Sequence, residues 1–205
     1  MRAGIFGGTF DPPHLGHLVA AQEAYAHLQL DRVIFVPAAR PPHKLRQAIT
    51  PAPTRLAMVR AAVGEDARFT VDDTELKRDG PSYTVDTLRE LKTRLAGAEL
   101  FLLLGADQVR DLSSWREPAE IQRLATIALL AREGVDAAPA GVEPGAIVRL
   151  PRLDISGTDL RRRVSAGEPI HFLVPDAVER IIFRERLYGQ LPTETASAGR
   201  GTSSF

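Results

Sequence analysis

Gly7-Gly8-Thr9-Phe10-Asp11-Pro12-Pro13-His14-Leu15-Gly16-His17 decides the reading of this chain. The stretch follows a short apolar run at residues 3–6 and leads into a long helical pattern at 16–30. A strand, a glycine turn and a helix start together make an anion site. Glycine lets backbone N–H groups come close, and a helix N-terminus favours negative charge. The phosphate loop G-x-x-x-x-G-K-[ST] is missing, and the dinucleotide fingerprint G-x-G-x-x-G cannot be read through Gly4, Gly7 and Gly8. His14 and His17 are three apart, so in a helix's first turn both imidazoles share one face, about 5 Å apart along the axis. Beside a phosphate site, two imidazoles can donate hydrogen bonds to a phosphoryl group as its charge redistributes. A glycine-rich turn with two surface histidines is the plainer reading of each piece alone. Their conjunction at one strand–turn–helix junction favours the site. A zinc pair is the other alternative, with no third ligand in view.

Outward from this junction, short apolar runs alternate with longer amphipathic ones, as in a parallel sheet covered by helices. Strands are predicted at residues 3–6, 32–37, 68–72, 99–105, 126–131 and 146–150, and helices at 16–30, 53–63, 84–95, 117–124, 158–166 and 175–186. Val85, Leu88, Leu91 and Leu95 fall on one helix face, and Gly97 stands where that helix should stop. The pattern predicts an α/β fold, a doubly wound, mostly parallel sheet with a small helical part at 155–190. Residues 1–190 read as one domain. The Ala/Pro/Gly-rich stretch 134–145 reads as a surface connection, and 191–205 as a tail without a fold of its own.

Composition narrows the function. In 205 residues, Lys plus Arg and Asp plus Glu are 26 each, so the formal net charge is zero. That balance argues against a broad nucleic-acid or anionic-membrane surface. Cysteine is absent, which excludes disulfides, thiolate metal sites and cysteine nucleophiles. The N-terminus lacks the apolar stretch of a leader, and the longest apolar run, near residues 100–105, is far too short to span a membrane. A soluble cytoplasmic protein is expected, with self-association left open.

G-G-T-F-D-P-x-H-x-G-H resembles the signature of the nucleotidyltransferase superfamily related to class I aminoacyl-tRNA synthetases, whose fold is Rossmann-like. Its second signature, a Ser/Thr-rich turn opening a helix before a basic residue, is matched by Ile155-Ser156-Gly157-Thr158-Asp159-Leu160-Arg161. Gly157 departs from it, standing where a second serine is usual. Only folding can join two segments so far apart, at the carboxyl edge of the sheet. Three further segments resemble the bacterial nicotinate-nucleotide adenylyltransferases: Pro42-His43-Lys44, the run from Glu75 through Ser82-Tyr83-Thr84 to Leu88, and Leu104-Gly105-Ala106-Asp107-Gln108 with Ser114-Trp115 beyond.

The resemblance implies transfer of AMP from ATP to nicotinate mononucleotide, forming nicotinate adenine dinucleotide and pyrophosphate in NAD biosynthesis. It places Gly7, Gly8, Thr9, Phe10, His14, His17, Gly105, Ser156, Thr158 and Arg161 at ATP, with His14, His17 and Arg161 catalytic. It places Asp11, Lys44, Ser82, Tyr83, Thr84, Asp107 and Trp115 at the acceptor. Magnesium is expected on the ATP phosphates, because no cluster of protein oxygen ligands is evident. Free N–H groups at the Ser82–Thr84 helix start suit an anionic carboxylate better than an amide. Each residue keeps a plainer reading: Ser156, Ser82 and Thr84 as helix caps, Lys44 as solvated, Asp107 as a turn residue, Trp115 as packing. Siblings using nicotinamide mononucleotide or phosphopantetheine, or a non-catalytic nucleotide sensor, are the competing functions.

Overall fold

The computed structural model describes residues 1–42, 48–132 and 144–189. Six strands form one sheet: β1 (Arg2–Gly8), β2 (Arg32–Pro37), β3 (Phe69–Val71), β4 (Glu99–Gly105), β5 (Thr126–Arg132) and β6 (Ala146–Leu150). Their order is β3-β2-β1-β4-β5-β6, and every pairing is parallel. Ile5 sits opposite Ile34 on one side and Leu102 on the other. The order reverses between β1 and β4, and ligands of open parallel sheets bind at such a switch point, outside the carboxyl ends of the strands. The decisive glycine stretch leaves β1 at this switch.

Side chains alternate across a strand, so each central strand feeds two cores. Ile5, Leu102 and Leu104 point to one face, where α3 (Thr84–Arg94) adds Val85, Leu88 and Leu91. Phe6, Phe101 and Leu103 point to the other, where α1 (Leu15–His27) adds Ala20, Ala21 and Ala24. Small residues on α1 let it lie close to the sheet, while each buried leucine on α3 contributes roughly 1.5–3 kcal/mol. A third cluster joins Met58 of α2 (Ala52–Val63) to Leu160 and Val164 of α6 (Gly157–Ser165) and to Val178 and Ile182 of α7 (Asp176–Arg184). Through it the C-terminal helices rest on the main body.

All six strands form where the sequence predicts them, with small shifts at the ends. α1 stops three residues short of its predicted end. Gln29 takes a left-handed φ of 48° and Leu30 turns back to donate to the Tyr25 carbonyl. Leu30 thereby tucks under Gly4, where a Cβ would stand 2.7 Å from its Cδ1. α4 (Ala106–Asp111) was not predicted; one and a half turns carry too short a periodicity, and Val109 and Leu112 pin it to the core. α5 (Pro118–Leu124) starts one residue late, at a proline preset for the first helical turn. The tail 191–205 and all but the last two residues of the 134–145 connection lie outside the described residues. Among the described residues no helix is long and apolar enough to cross a membrane.

Candidate active site

A crevice of about 390 Å³ opens beyond the carboxyl edge of the sheet, lined by both signature segments: Gly7, Gly8, His14 and His17 on one side, Ser156 and Gly157 on the other. A Cβ on Gly7 would meet nothing within 4 Å, so this position borders open space. Gly8 is different, since a Cβ there would touch the Phe10 ring at 3.0 Å. Phe10 itself holds a left-handed φ of 50° and is buried, its ring edge-on to Phe6 and His17. An aromatic residue in that backbone region persists only where its surroundings impose it. Here a packed aromatic cluster sets the curve of the loop.

The two histidines do not share the first turn as the spacing suggests. His14 is the residue before the helix, extended at φ −144°, and His17 is third within it. Their rings stack, with centroids 3.8 Å apart and planes 36° from parallel. The His14 backbone N–H donates to His17 Nδ1 at 3.2 Å. With Nδ1 accepting, the neutral His17 ring carries its proton on Nε2, as a donor. Burial, and next the neighbouring His14, hold the His17 pKa well below the ordinary imidazole value. Gly16 makes the stacking possible: a Cβ there would lie 3.0 Å from His14 Nδ1.

The second signature closes onto the first. Ser156 caps α6, its Oγ accepting from the Asp159 N–H at 3.1 Å, and it also lines the crevice. Arg161, expected over a triphosphate, donates through Nη1 to the Asp11 carbonyl at 2.7 Å and through Nη2 to Thr158 Oγ1 at 3.2 Å. Its guanidinium ties α6 to the glycine loop across 150 positions of sequence. Gly157 sits in the same contact, where a Cβ would stand 3.1 Å from the Asp11 oxygen. The Leu15 N–H adds a second tie between the loop and the C-terminal part, to the Leu173 carbonyl at 3.0 Å.

Beneath the loop lies a buried charge that the sequence reading missed. Arg55 of α2 has no exposed surface and donates to the carbonyls of Thr50 (2.8 Å), Thr9 (2.8 Å) and Ala39 (3.2 Å). Burial lowers its pKa, while Asp11, Tyr188 and Glu75 pull the other way. Asp11, assigned by sequence to the acceptor, lines the larger crevice. Its carboxylate accepts from the Thr50 N–H at 3.1 Å and from the Tyr188 hydroxyl at 2.7 Å. The Tyr188 phenol is pushed far above its usual range, by burial first and then by Asp11. No periodicity marks an arginine as buried. Its only signal is its place beside the apolar positions Leu56, Met58 and Val59.

On the opposite face of the sheet edge a smaller cavity, about 50 Å³, is walled by Glu75, Thr84, Thr87, Leu88 and Trp115. Thr84 is the first residue of α3, so its N–H has no acceptor within the helix. Ser82 works as a clasp: its Oγ accepts from the Arg40 N–H at 3.1 Å and its own N–H donates to the Arg40 carbonyl at 3.0 Å. Tyr83 precedes the helix with the Arg116 guanidinium 4.8 Å over its ring. Glu75 is buried, accepts from Thr87 Oγ1 at 2.7 Å, and has its pKa raised by that burial. Asp107 stays apart: its side chain is 89% exposed, pairs with Arg110 and lines neither cavity. Gly105 lines the larger crevice. Lys44, with His43, lies outside the described residues. The one group of three potential metal ligands among the described residues, His171, Asp176 and Glu179, is on the surface away from both cavities.

Comparison with known proteins places this geometry. The family model described as cytidylyltransferase-like matches residues 5–163. The chain is 48% identical over 190 residues to a "probable nicotinate-nucleotide adenylyltransferase" of Thermus thermophilus, covering 92% of this chain and 100% of that one. It is 41% identical over 206 residues to the protein of the same name from Thermomicrobium roseum, covering 95% and 96%. In fold it is similar to Plasmodium falciparum nicotinic acid mononucleotide adenylyltransferase complexed with NaAD, with a TM-score of 0.73 and 17% identity, over 91% of this chain and 97% of that one.

Proposed function

We infer the roles of these residues from one premise: the chain belongs to the cytidylyltransferase-like family and, within it, to the nicotinate-nucleotide adenylyltransferases. It is a nucleotidyltransferase that moves AMP from ATP to nicotinate mononucleotide, forming nicotinate adenine dinucleotide and pyrophosphate. A phosphate oxygen of the acceptor attacks the α-phosphorus of ATP in line. The new P–O bond forms as the bond from the α-phosphorus to the bridging oxygen breaks, and that electron pair leaves on pyrophosphate. The nucleophile is already ionised, so neither a strong general base nor a covalent enzyme intermediate is needed. Positioning and charge stabilisation supply the catalysis.

The stacked histidine pair in the crevice carries this reading. His17 offers Nε2–H to the α-phosphate, and the His14 amide holds it in that tautomer. A low pKa keeps His17 a neutral donor before ATP arrives, and bound phosphate charge draws the proton in further. His14 stands at the neighbouring phosphate, and backbone N–H groups from Gly7 to Phe10 complete the cradle. Ser156 and Thr158 close it from α6. Arg161 acts from behind, holding α6 on the loop through the Asp11 carbonyl.

A divalent metal belongs to the chemistry of the family, and magnesium would be carried on the ATP phosphates. Asp11, the carboxylate at the crevice, has both oxygens engaged by Thr50 and Tyr188, so the donor set suits a metal held by phosphates and water. The acceptor's ring lies against Trp115 with its carboxylate at the start of α3, where the Thr84 N–H has no acceptor within the helix. A neutral carboxamide gains less there. The test is pyrophosphate release from ATP and magnesium with nicotinate mononucleotide, nicotinamide mononucleotide or phosphopantetheine. Release with the acid alone is expected. Equal rates with the amide would overturn the account of the α3 start. ATP binding without release on any acceptor would point to a sensor.

A further inference from the structure

We propose that Gln108 is a substrate-binding donor at the seam of the two cavities, where it holds the acceptor's phosphate in line with ATP. The inference rests on the two-substrate reading above and adds a residue to it. The larger crevice and the smaller cavity have two residues in common, Gly7 and Gln108. Gly7 has no side chain and borders open space, so Gln108 brings the one side chain shared by both. With ATP on the histidine side and the pyridine ring on the Trp115 side, the phosphate joining ring nucleotide to ATP has to cross this seam.

The carboxamide is already oriented for the task. Oε1 accepts from the Gly105 N–H at 3.1 Å, at the turn from β4 into α4. That bond fixes which end of the amide is which, leaving both Nε2 hydrogens for the seam. Among the described residues no acceptor takes them. Gln108 is half-buried and lines both cavities. A neutral donor suits the position. It orients a phosphate oxygen through a directional bond and leaves the negative charge on the attacking oxygen, whereas a cation would hold that charge back. The transfer step is the one written above, and Gln108 neither gives nor takes a proton in it.

Glu and Ala substitutions separate this role from simple turn support. Q108E keeps an acceptor for the Gly105 N–H but exchanges the donor for a negative charge facing two phosphates. Q108A removes both functions. If Gln108 holds the phosphate, Q108A lowers kcat/KM for nicotinate mononucleotide about 10-fold to 100-fold, the span of one hydrogen bond to a charged group, and Q108E lowers it further. The KM for ATP should shift far less in both. Titration of Trp115 fluorescence with nicotinate mononucleotide alone reads acceptor binding apart from turnover, since this is the chain's one tryptophan. Weaker binding by folded Q108E supports the proposal even where some protein is lost to unfolding. Q108E within about threefold of wild type would assign Gln108 to the Gly105 turn only and overturn it. Wild-type protein assayed alongside keeps the two readings apart. Wild type without pyrophosphate release sinks the function, whereas active wild type with an equally active Q108E sinks only this inference.

Discussion

The two cavities at the sheet edge, which the proposed function gives to ATP and to the acceptor, differ in size and in how they are braced. The larger, proposed for ATP, is an open crevice of about 390 Å³ whose walls come from the two signature segments, with Gly105, Gln108 and Leu130 between them. It is welded by backbone acceptors: Arg161 to the Asp11 carbonyl, Leu15 to the Leu173 carbonyl, Arg55 to the Thr9 carbonyl. The smaller cavity, proposed for the acceptor, draws on β1, β2 and β4, on Glu75, Thr84, Thr87 and Leu88, and on Gln108 and Trp115, and measures only about 50 Å³. A cavity of roughly 150 Å³ takes a benzene ring, so under the proposed function this one would widen around a pyridine carboxylate. The contrast teaches a division of labour. On the proposed assignment, a triphosphate would meet donors already in place, whereas the ring would need the smaller cavity to widen.

His17→Ala is the strongest way to probe that division. It removes the fixed Nε2 donor, and kcat is expected to fall about 10²-fold to 10⁴-fold while the fold stays intact, judged against losses from removing preorganised donors. Trp115 fluorescence titrated with nicotinate mononucleotide should not change, because the acceptor cavity does not include His17. Near-normal turnover would take His17 out of the chemistry, and weakened acceptor binding would mean the two sides are not separable. His17→Gln adds a pH arm. The folded His17 pKa lies below its unfolded value, so the unfolded state binds the extra proton. Wild-type stability is therefore lost as pH falls below about 6.5, toward the folded pKa. The raised pKa of the surface residue His171 acts with the opposite sign, so the reading is the difference between wild type and variant. A His17→Gln stability profile with the same acid slope as wild type would contradict the depressed pKa.

The two sides were also unequally legible in the sequence. The cradle could be read because its chemistry dictates residue types at fixed spacing: Gly7 and Gly8 at a strand end, His14 and His17 three apart, and a capping Ser156. Short apolar runs placed all six strands, and 3.6-residue patterns placed every flanking helix but α4, which brought the two signatures to one edge. What could not be read was everything set by packing between distant segments. Arg55, Tyr188 and the stacking of His14 on His17 depend on contacts that no local period encodes. The acceptor side shows the same limit. Ser82 carries a recognisable motif, yet its polar atoms are occupied by Arg40, and Asp107 turns to solvent beside Arg110. A motif names the residue types, and only the fold decides which donors are left for a ligand.

Arg55→Met asks whether the two sides share a footing. The guanidinium holds Thr9 on the ATP side, and it holds Ala39, which adjoins the Arg40–Ser82 clasp of the acceptor side. Methionine keeps much of the apolar stem but leaves three partly buried carbonyls without their donor. A loss of order 3 kcal/mol in unfolding free energy is expected, since stranded buried acceptors cost about 1–3 kcal/mol each and the relieved burial of the charge offsets part of that. Denaturant unfolding measures it. At temperatures where the variant remains folded, the KM values for ATP and for nicotinate mononucleotide should both rise. A rise for ATP alone would confine Arg55 to the cradle and make the two sides independent.

Gly157→Ser is the finest probe, because it restores the residue usual at this point of the second signature and touches only the weld. At the first position of α6, a side chain lowers the entropy of the unfolded chain, worth about 0.4–1 kcal/mol in favour of folding. Against this, the new Cβ would stand 3.1 Å from the Asp11 carbonyl and 3.3 Å from Arg161 Nη1. The arginine end is flexible, but the carbonyl is backbone and already receives the Arg161 bond. The two effects nearly cancel, so stability should stay within about 1 kcal/mol of wild type, with a change of no more than about fivefold in kcat/KM for ATP. The acceptor's KM should not move at all. A larger loss confined to ATP would show that the cradle tolerates no displacement even of a few tenths of an ångström, sharpening the contrast with the cavity that must open. A gain would show the opposite, that the weld still has slack for a hydroxyl to become one more donor to the phosphates.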